Sequence, residues 1–155
     1  MVDRCAILLQ ASQELGIPAM ISEQYRKGLG ATVERLDNAK GNAQVMEKMH
    51  FSCASDPAMA KHVGDLASAG RDQLVVAGIE SHVCVLQSVL DFRLKGLDVF
   101  VVGDAVTSRH PQSVAFAFER MRGAGIQVVT TEMALFEWLH VAGTPVFKTL
   151  SKLIK

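Results

Sequence analysis

The chain has little of what marks a specialised class of protein. Its 155 residues include three cysteines, four prolines, one tryptophan and one tyrosine. Cys5, Cys53 and Cys84 are odd in number and form no C-x-x-C pair, which excludes a disulfide framework and points to a reducing compartment, the cytosol. Neither sign of charge prevails: 16 Lys plus Arg face 16 Asp plus Glu, so no long-range field gathers nucleic acid or an anionic membrane. Tyr25, Arg26 and Lys27 form the only basic-aromatic cluster, too small for a nucleic-acid surface. No apolar run reaches the roughly 18 residues that span a bilayer. Asp3, Arg4, Gln10, Gln13 and Glu14 interrupt the opening residues, unlike the apolar stretch of a cleaved signal. His50, His62, His82, His110 and His140 make no H-x-x-x-H or H-E-x-x-H pair, no acidic calcium loop is present, and GLG at 28–30 is not a dinucleotide fingerprint. Neither a metal nor a nucleotide cofactor is expected.

What is present describes one folded domain, residues 1–155, with 49% apolar and 21% charged residues. Cys5, Leu8, Leu9 and Leu15 recur at helical spacing ahead of Gly16, so the chain opens with a helix, for which Asp3 is the expected N-terminal cap. IPAMIS at 17–22 reads as a buried strand. Residues 23–44 read as loop with one short helical turn near Val33–Leu36, and Val45–Phe51 as a short strand or extended loop. Asp56 before Pro57 opens a helix over 57–69. Beyond residue 70, QLVVAG, DVFVVGD and IQVVTT are apolar strands separated by helices of about a dozen residues, which predicts βα units and an α/β protein with a parallel sheet covered on both faces. Thr144 and Pro145 start a last helix with Phe147, Leu150, Leu153 and Ile154 on one side and Lys148, Lys152 and Lys155 on the other. That stripe covers either this domain's sheet or a neighbouring subunit. Such a domain normally opens with a central strand, yet this chain opens with a helix.

The strongest chemical feature is VVAGIESHVCVLQ, residues 75–87. Gly78 ends a strand, and Cys84 falls in the first turns of the next helix, where unpaired N–H groups and the helix dipole favour a thiolate. Two readings stand side by side: a nucleophile whose attack on a carbonyl is helped by those N–H groups, and a small buried core residue. His82, two positions away on a helix, points elsewhere. Lys48 follows a strand and could assist the thiol or hold an anionic substrate, although alone it reads as a solvated surface lysine. Asp104, Arg109 and Glu132 follow strands, where ligand-facing residues gather; a helix-capping Asp, a surface Arg and a first-turn acid are their ordinary alternatives. Cys5 reads as core and Cys53 as an incidental loop thiol.

ISEQYRKGLG, EKMHFSCASD, VVAGIESHVCVLQSVLDF, VVGDAVTSR and VVTTEMALFEWL together resemble the isochorismatase-like cysteine hydrolases, especially their isochorismatase domain-containing branch. The resemblance implies a Rossmann-like three-layer α/β/α fold with a mostly parallel central sheet and a trio of Asp, Lys and Cys. Lys48 matches the family lysine, Cys84 the nucleophile, and Ile79–Glu80 a cis peptide at the oxyanion site, where the N–H groups of Glu80 and Cys84 donate. By the family mechanism the Asp accepts the cysteine proton, Cys84 attacks, and water releases the product of a small amide, ester, imide or vinyl-ether substrate. The metal-binding Asp and His pair of some members is replaced here by SEQYRK, so no metal is implied. Tyr25 and Arg109 are the candidates for the substrate pocket. The family's first strand, which ends in the Asp, has no counterpart here; an absent front portion, a shortened product that is inactive or borrows a strand, and a substitute carboxylate are the alternatives, the first favoured. The partners implied are a small-molecule substrate and further copies in a homo-oligomer with a contact at Phe147, Leu150 and Ile154, without nucleic acid or membrane. A non-catalytic scaffold with the same fold is the alternative function.

Overall fold

The computed structural model describes residues 1–154; the expected place of Lys155 on the polar side of the tail lies outside them. Helix α1 (Val2–Glu14) is followed by strand β1 (Met20–Gln24), the short helices α2 (Arg26–Leu29) and α3 (Glu34–Asp37), and strand β2 (Gln44–Lys48). A 3-10 turn (Cys53–Ser55) leads into α4 (Pro57–Ser68) and β3 (Gln73–Ile79). A π-helical turn (Ser81–Val85) then precedes α5 (Leu86–Leu94), β4 (Asp98–Thr107), α6 (Pro111–Gly123), β5 (Gln127–Val129), α7 (Thr131–Leu139) and α8 (Pro145–Leu150). Local signals set several boundaries. The Asp56 carboxylate accepts from the N–H groups of Ala58 and Met59, and Thr144 Oγ1 accepts from Phe147 N, each ahead of a proline at the first helical position.

Differences from the sequence reading fall mostly in the first fifty residues. Strand β1 begins at Met20 rather than Ile17, because Ile17 N donates to Ser12 O at 2.8 Å and binds the Gly16 turn to the end of α1. Residues 23–44 contain two short helices where one was expected. Asp3 does not cap α1: Met1 is the N-cap, and Asp3 lies in the first turn with its carboxylate on Arg35 Nε at 3.1 Å.

Every strand pairing is parallel, but the strands form two ladders, β1-β2 and β3-β4-β5. Among the described residues no hydrogen-bonded pairing joins β1 to β3, so the single sheet expected from the sequence is divided there. Strand β4 buries Val99, Val101 and Val102, each no more than 2% exposed, whereas β3, paired on one edge only, is partly exposed along its length. Helices cover both faces. Val63 of α4, Val89 and Phe92 of α5, and Ala117 and Met121 of α6 pack with Val99 and Val101. Cys5 and Leu8 of α1 and Ala134 of α7 pack with Val102 and Val129 on the other side.

The C-terminal stripe packs on two helices rather than directly on the sheet. Leu150 is fully buried with Ala11, Leu135 and Leu139, and Phe147, Leu153 and Ile154 pack against the same cluster between α1 and α7. Because α1 and α7 already cover the sheet, the tail forms an outer layer on them. Of the three residues expected at a subunit contact, Leu150 is buried inside the domain, while Phe147 and Ile154 are half-buried.

Candidate active site

Pairing is parallel within each ladder, so Gln24 and Lys48 close their strands side by side in one, and Ile79 and Thr107 do so in the other. Lys48 is not a solvated surface lysine: it is 3% exposed. Its Nζ donates to Gln24 Oε1 at 2.5 Å and to the carbonyls of His50 and Phe51 at 2.9 Å each. All three acceptors are neutral, an unusual environment for a buried ammonium, which ordinarily has a charged partner. Gln24 pairs with Lys48 in register and donates through Nε2 to Met49 O, fixing the amide that receives the ammonium. Tyr25 follows directly; its N–H donates to Lys48 O, its backbone is left-handed, and its ring is partly exposed. A Cβ at Gly28 would overlap the ring, so a larger residue there would displace Tyr25.

The loop leaving Lys48 returns to the thiol's helix. Cys53 N donates to Ser88 Oγ at 2.8 Å, and Ser88 lies one helical turn beyond Cys84. Cys84 is half-buried and belongs to none of the three apolar clusters, unlike Cys5, whose Sγ donates to Ala105 O and whose thiol is pushed up by burial. The helix expected to run through SHVCVLQ opens instead as the π turn Ser81–Val85, a wider coil of the kind often found at functional sites. Val83 N and Val85 N both donate to Glu80 O, at 3.1 and 3.2 Å, so the turn carrying Cys84 hangs from one carbonyl. The Ile79–Glu80 peptide is cis. Ser81 is completely buried, and its Oγ has no hydrogen-bond partner among the described residues.

Arg109 lies across Glu80. The carboxylate accepts from Arg109 N at 3.1 Å, Nε at 3.1 and 3.2 Å, and Nη2 at 2.9 Å. Those hydrogen bonds hold the Glu80 carboxyl below the usual carboxylate range and raise Arg109 above its ordinary value. His82 Nδ1 lies 2.9 Å from Ser108 Oγ, so this imidazole is engaged away from the thiol. Asp104 falls inside β4 rather than in the following loop. Its Oδ1 accepts from the N–H and hydroxyl of Thr131, the first residue of α7, and Arg4 approaches its other oxygen at 3.5 Å. Glu132 occupies the first turn of α7.

Sequence reasoning passed over Glu23, Gln24 and Ser88. For the first two, their position at a strand's carboxyl end was the available signal. Glu23 Oε1 accepts from Thr32 N and Oγ1 at 2.7 Å each, bonds that hold its carboxyl low and anchor the loop over a concavity of about 360 Å³. Glu23, Arg26, Thr32, Asp37 and Lys40 line that concavity, which reaches neither Cys84 nor Lys48. Among the described residues no three His, Cys, Asp or Glu side chains gather as a metal would need.

Fold and site together define a three-layer α/β domain with a cysteine on the turn after one parallel strand and a buried lysine ending another. The isochorismatase domain matches residues 1–133, and the chain belongs to that family, a family of hydrolases. The secreted isochorismatase effector Isc1 of Phytophthora sojae is 38% identical over 96% of this chain and 71% of its own length. Isochorismatase domain-containing protein 1 of Danio rerio is 37% identical over 96% of this chain, which spans only 51% of that protein. The solved MAR1 ribonuclease of Caenorhabditis elegans superposes with a TM-score of 0.90 at 35% identity, covering 99% of this chain and 77% of that one.

Proposed function

We propose that the protein is a cysteine hydrolase in which Cys84 attacks a small amide, ester, imide or related electrophile. The observation that carries this reading is a partly accessible thiol, outside the apolar core, on a π turn whose helix is bonded to the loop leaving a buried ammonium. In the proposed reaction the Cys84 sulfur forms a bond to the carbonyl carbon, and the carbonyl oxygen takes the developing charge toward the N–H groups of Glu80 and Cys84. The leaving group departs with a proton. Water then cleaves the thioester and regenerates the thiol. Tyr25, beside Lys48, and the free edge of Arg109 are the proposed contacts for the substrate.

The reaction also needs an acceptor for the thiol proton. We assign that role to a carboxylate beside Lys48, whose ammonium is satisfied by three neutral oxygens and would gain its counter-charge there. The three free thiols support a cytosolic setting, and the reading includes a small-molecule substrate and assembly into a homo-oligomer. The Caenorhabditis protein is named a ribonuclease; a formal net charge of zero favours a small substrate over RNA here.

Alkylation with iodoacetamide at neutral pH, mapped by peptide mass, tests the reading. Cys84 is expected to react at least about tenfold faster than Cys53 in the intact protein, as a thiolate-stabilising site requires. Equal rates at the two cysteines would overturn the nucleophile assignment and leave a non-catalytic scaffold as the better account.

A further inference from the structure

Strands β3 and β4 stop pairing at Ile79 and Thr107, and the chain diverges into the Cys84 turn on one side and α6 on the other. Side chains take over where the backbone ladder ends. Ser108 and Arg109 are consecutive, and each bonds a residue flanking the buried Ser81: Ser108 Oγ lies 2.9 Å from His82 Nδ1, and Arg109 grips the Glu80 carboxylate with its backbone N–H and its guanidinium. Glu80 is also the residue whose carbonyl receives Val83 N and Val85 N on either side of Cys84 in the chain. The same residue is therefore held by its side chain from the segment after β4 and holds the thiol's turn by its carbonyl.

We propose that Arg109, acting through Glu80, is a positioning residue for Cys84: the fork fixes Glu80, and Glu80 sets where the sulfur sits. The inference rests on the reading of Cys84 as nucleophile. It gives Arg109 a principal task other than substrate binding, since Nε, Nη2 and the backbone N–H are all directed at Glu80 and only Nη1 is left. A planar fork suits this task better than a lysine, whose single ammonium cannot span both carboxylate oxygens in fixed geometry. Small displacements suffice for a large effect, because misplacing a reacting atom by about 1 Å can cost on the order of a hundredfold in rate.

The test is the rate of Cys84 alkylation, compared with Cys53 as an internal standard, in the full chain with its fold checked by circular dichroism. Arg109→Gln and Glu80→Gln are each expected to slow Cys84 about tenfold while Cys53 is unchanged, and Arg109→Lys to recover only part of the rate. The charge-reversed pair Glu80→Arg with Arg109→Glu is expected to return the rate to within about threefold of wild type, a rescue that general destabilisation would not produce. Should Arg109→Gln perturb folding, Ser108→Ala supplies the milder variant, with a smaller loss expected at Cys84 alone. Wild-type reactivity at Cys84 in these folded variants would overturn the inference and leave the nucleophile intact. Cys84 reacting no faster than Cys53 in the wild type would instead overturn the underlying reading.

Discussion

The two ladders are built to different standards. In β3-β4-β5, the middle strand has partners on both edges and helices on both faces, so Val101 and Val102 are wholly buried. In β1-β2, each strand has one partner, and Val45, Met49 and Phe51 on β2 and its exit loop are exposed. Yet the less protected ladder carries the buried lysine, and the better protected one carries the thiol. Core and chemistry are therefore not distributed alike. The three-stranded ladder leads into the turn of the nucleophile, while the lysine ends a two-stranded piece and is held by Gln24 and the carbonyls of its own exit loop.

Truncation should show that contrast most. Met121→Ala, in the cluster behind β4, is expected to cost about 2–5 kcal/mol in urea unfolding, as removal of a fully buried methionine does. Met46→Ala on β2, partly exposed, should cost well under half as much. Equal losses would show that the two ladders share one core.

Lys48→Met comes next. The aliphatic stem is kept, but Gln24 Oε1 and the carbonyls of His50 and Phe51 lose their donor, a change expected to cost about 1–3 kcal/mol. It should also slow Cys84 alkylation without affecting the packing behind β4. If stability rises instead, desolvation of the unpaired ammonium outweighs its three hydrogen bonds. A smaller effect is expected on the three-stranded side from Asp104→Ala, which removes the acceptor for Thr131 N and Oγ1 at the start of α7, at about 1 kcal/mol in the same unfolding measurement.

The same contrast explains what could be read in advance. The βα units beyond residue 70 were legible because strands buried on both faces appear as unbroken apolar runs such as DVFVV. Strands β1 and β2 read MISEQ and QVMEK, mixed sequences that reflect their exposure, and α2, RKGL, is too short to show a period. Cys84 was visible as a candidate from its place at a strand-to-helix junction, but the π turn was not, since no composition marks it. Burial of Lys48 was hidden because it depends on Gln24, a contact made across the ladder. Glu80 and Arg109 are 29 residues apart, and their pairing follows from the parallel register of β3 and β4 rather than from any local motif.

The smallest effect concerns acid. Glu23 anchors the loop of the weaker ladder by accepting both Thr32 bonds, and those bonds hold its carboxyl below the ordinary carboxylate value. A carboxyl depressed in the folded state binds fewer protons there than in the unfolded chain, so its contribution is complete above the unfolded value of 4.5 and is lost as pH falls through the folded one. Glu80 obeys the same sign on the other ladder, through Arg109. At neutral pH neither group titrates, and both loops should be equally protected. On acidification below the ordinary carboxylate range, amide hydrogen exchange should rise first at residues 30–33 and 108–110, while the amides of β4 stay protected. Thr32→Val, which removes the hydroxyl bond and keeps the backbone one, should weaken the acid step at residues 30–33 alone. If the β4 amides open at the same pH as these loops, the acid response belongs to the whole fold rather than to the two carboxylates.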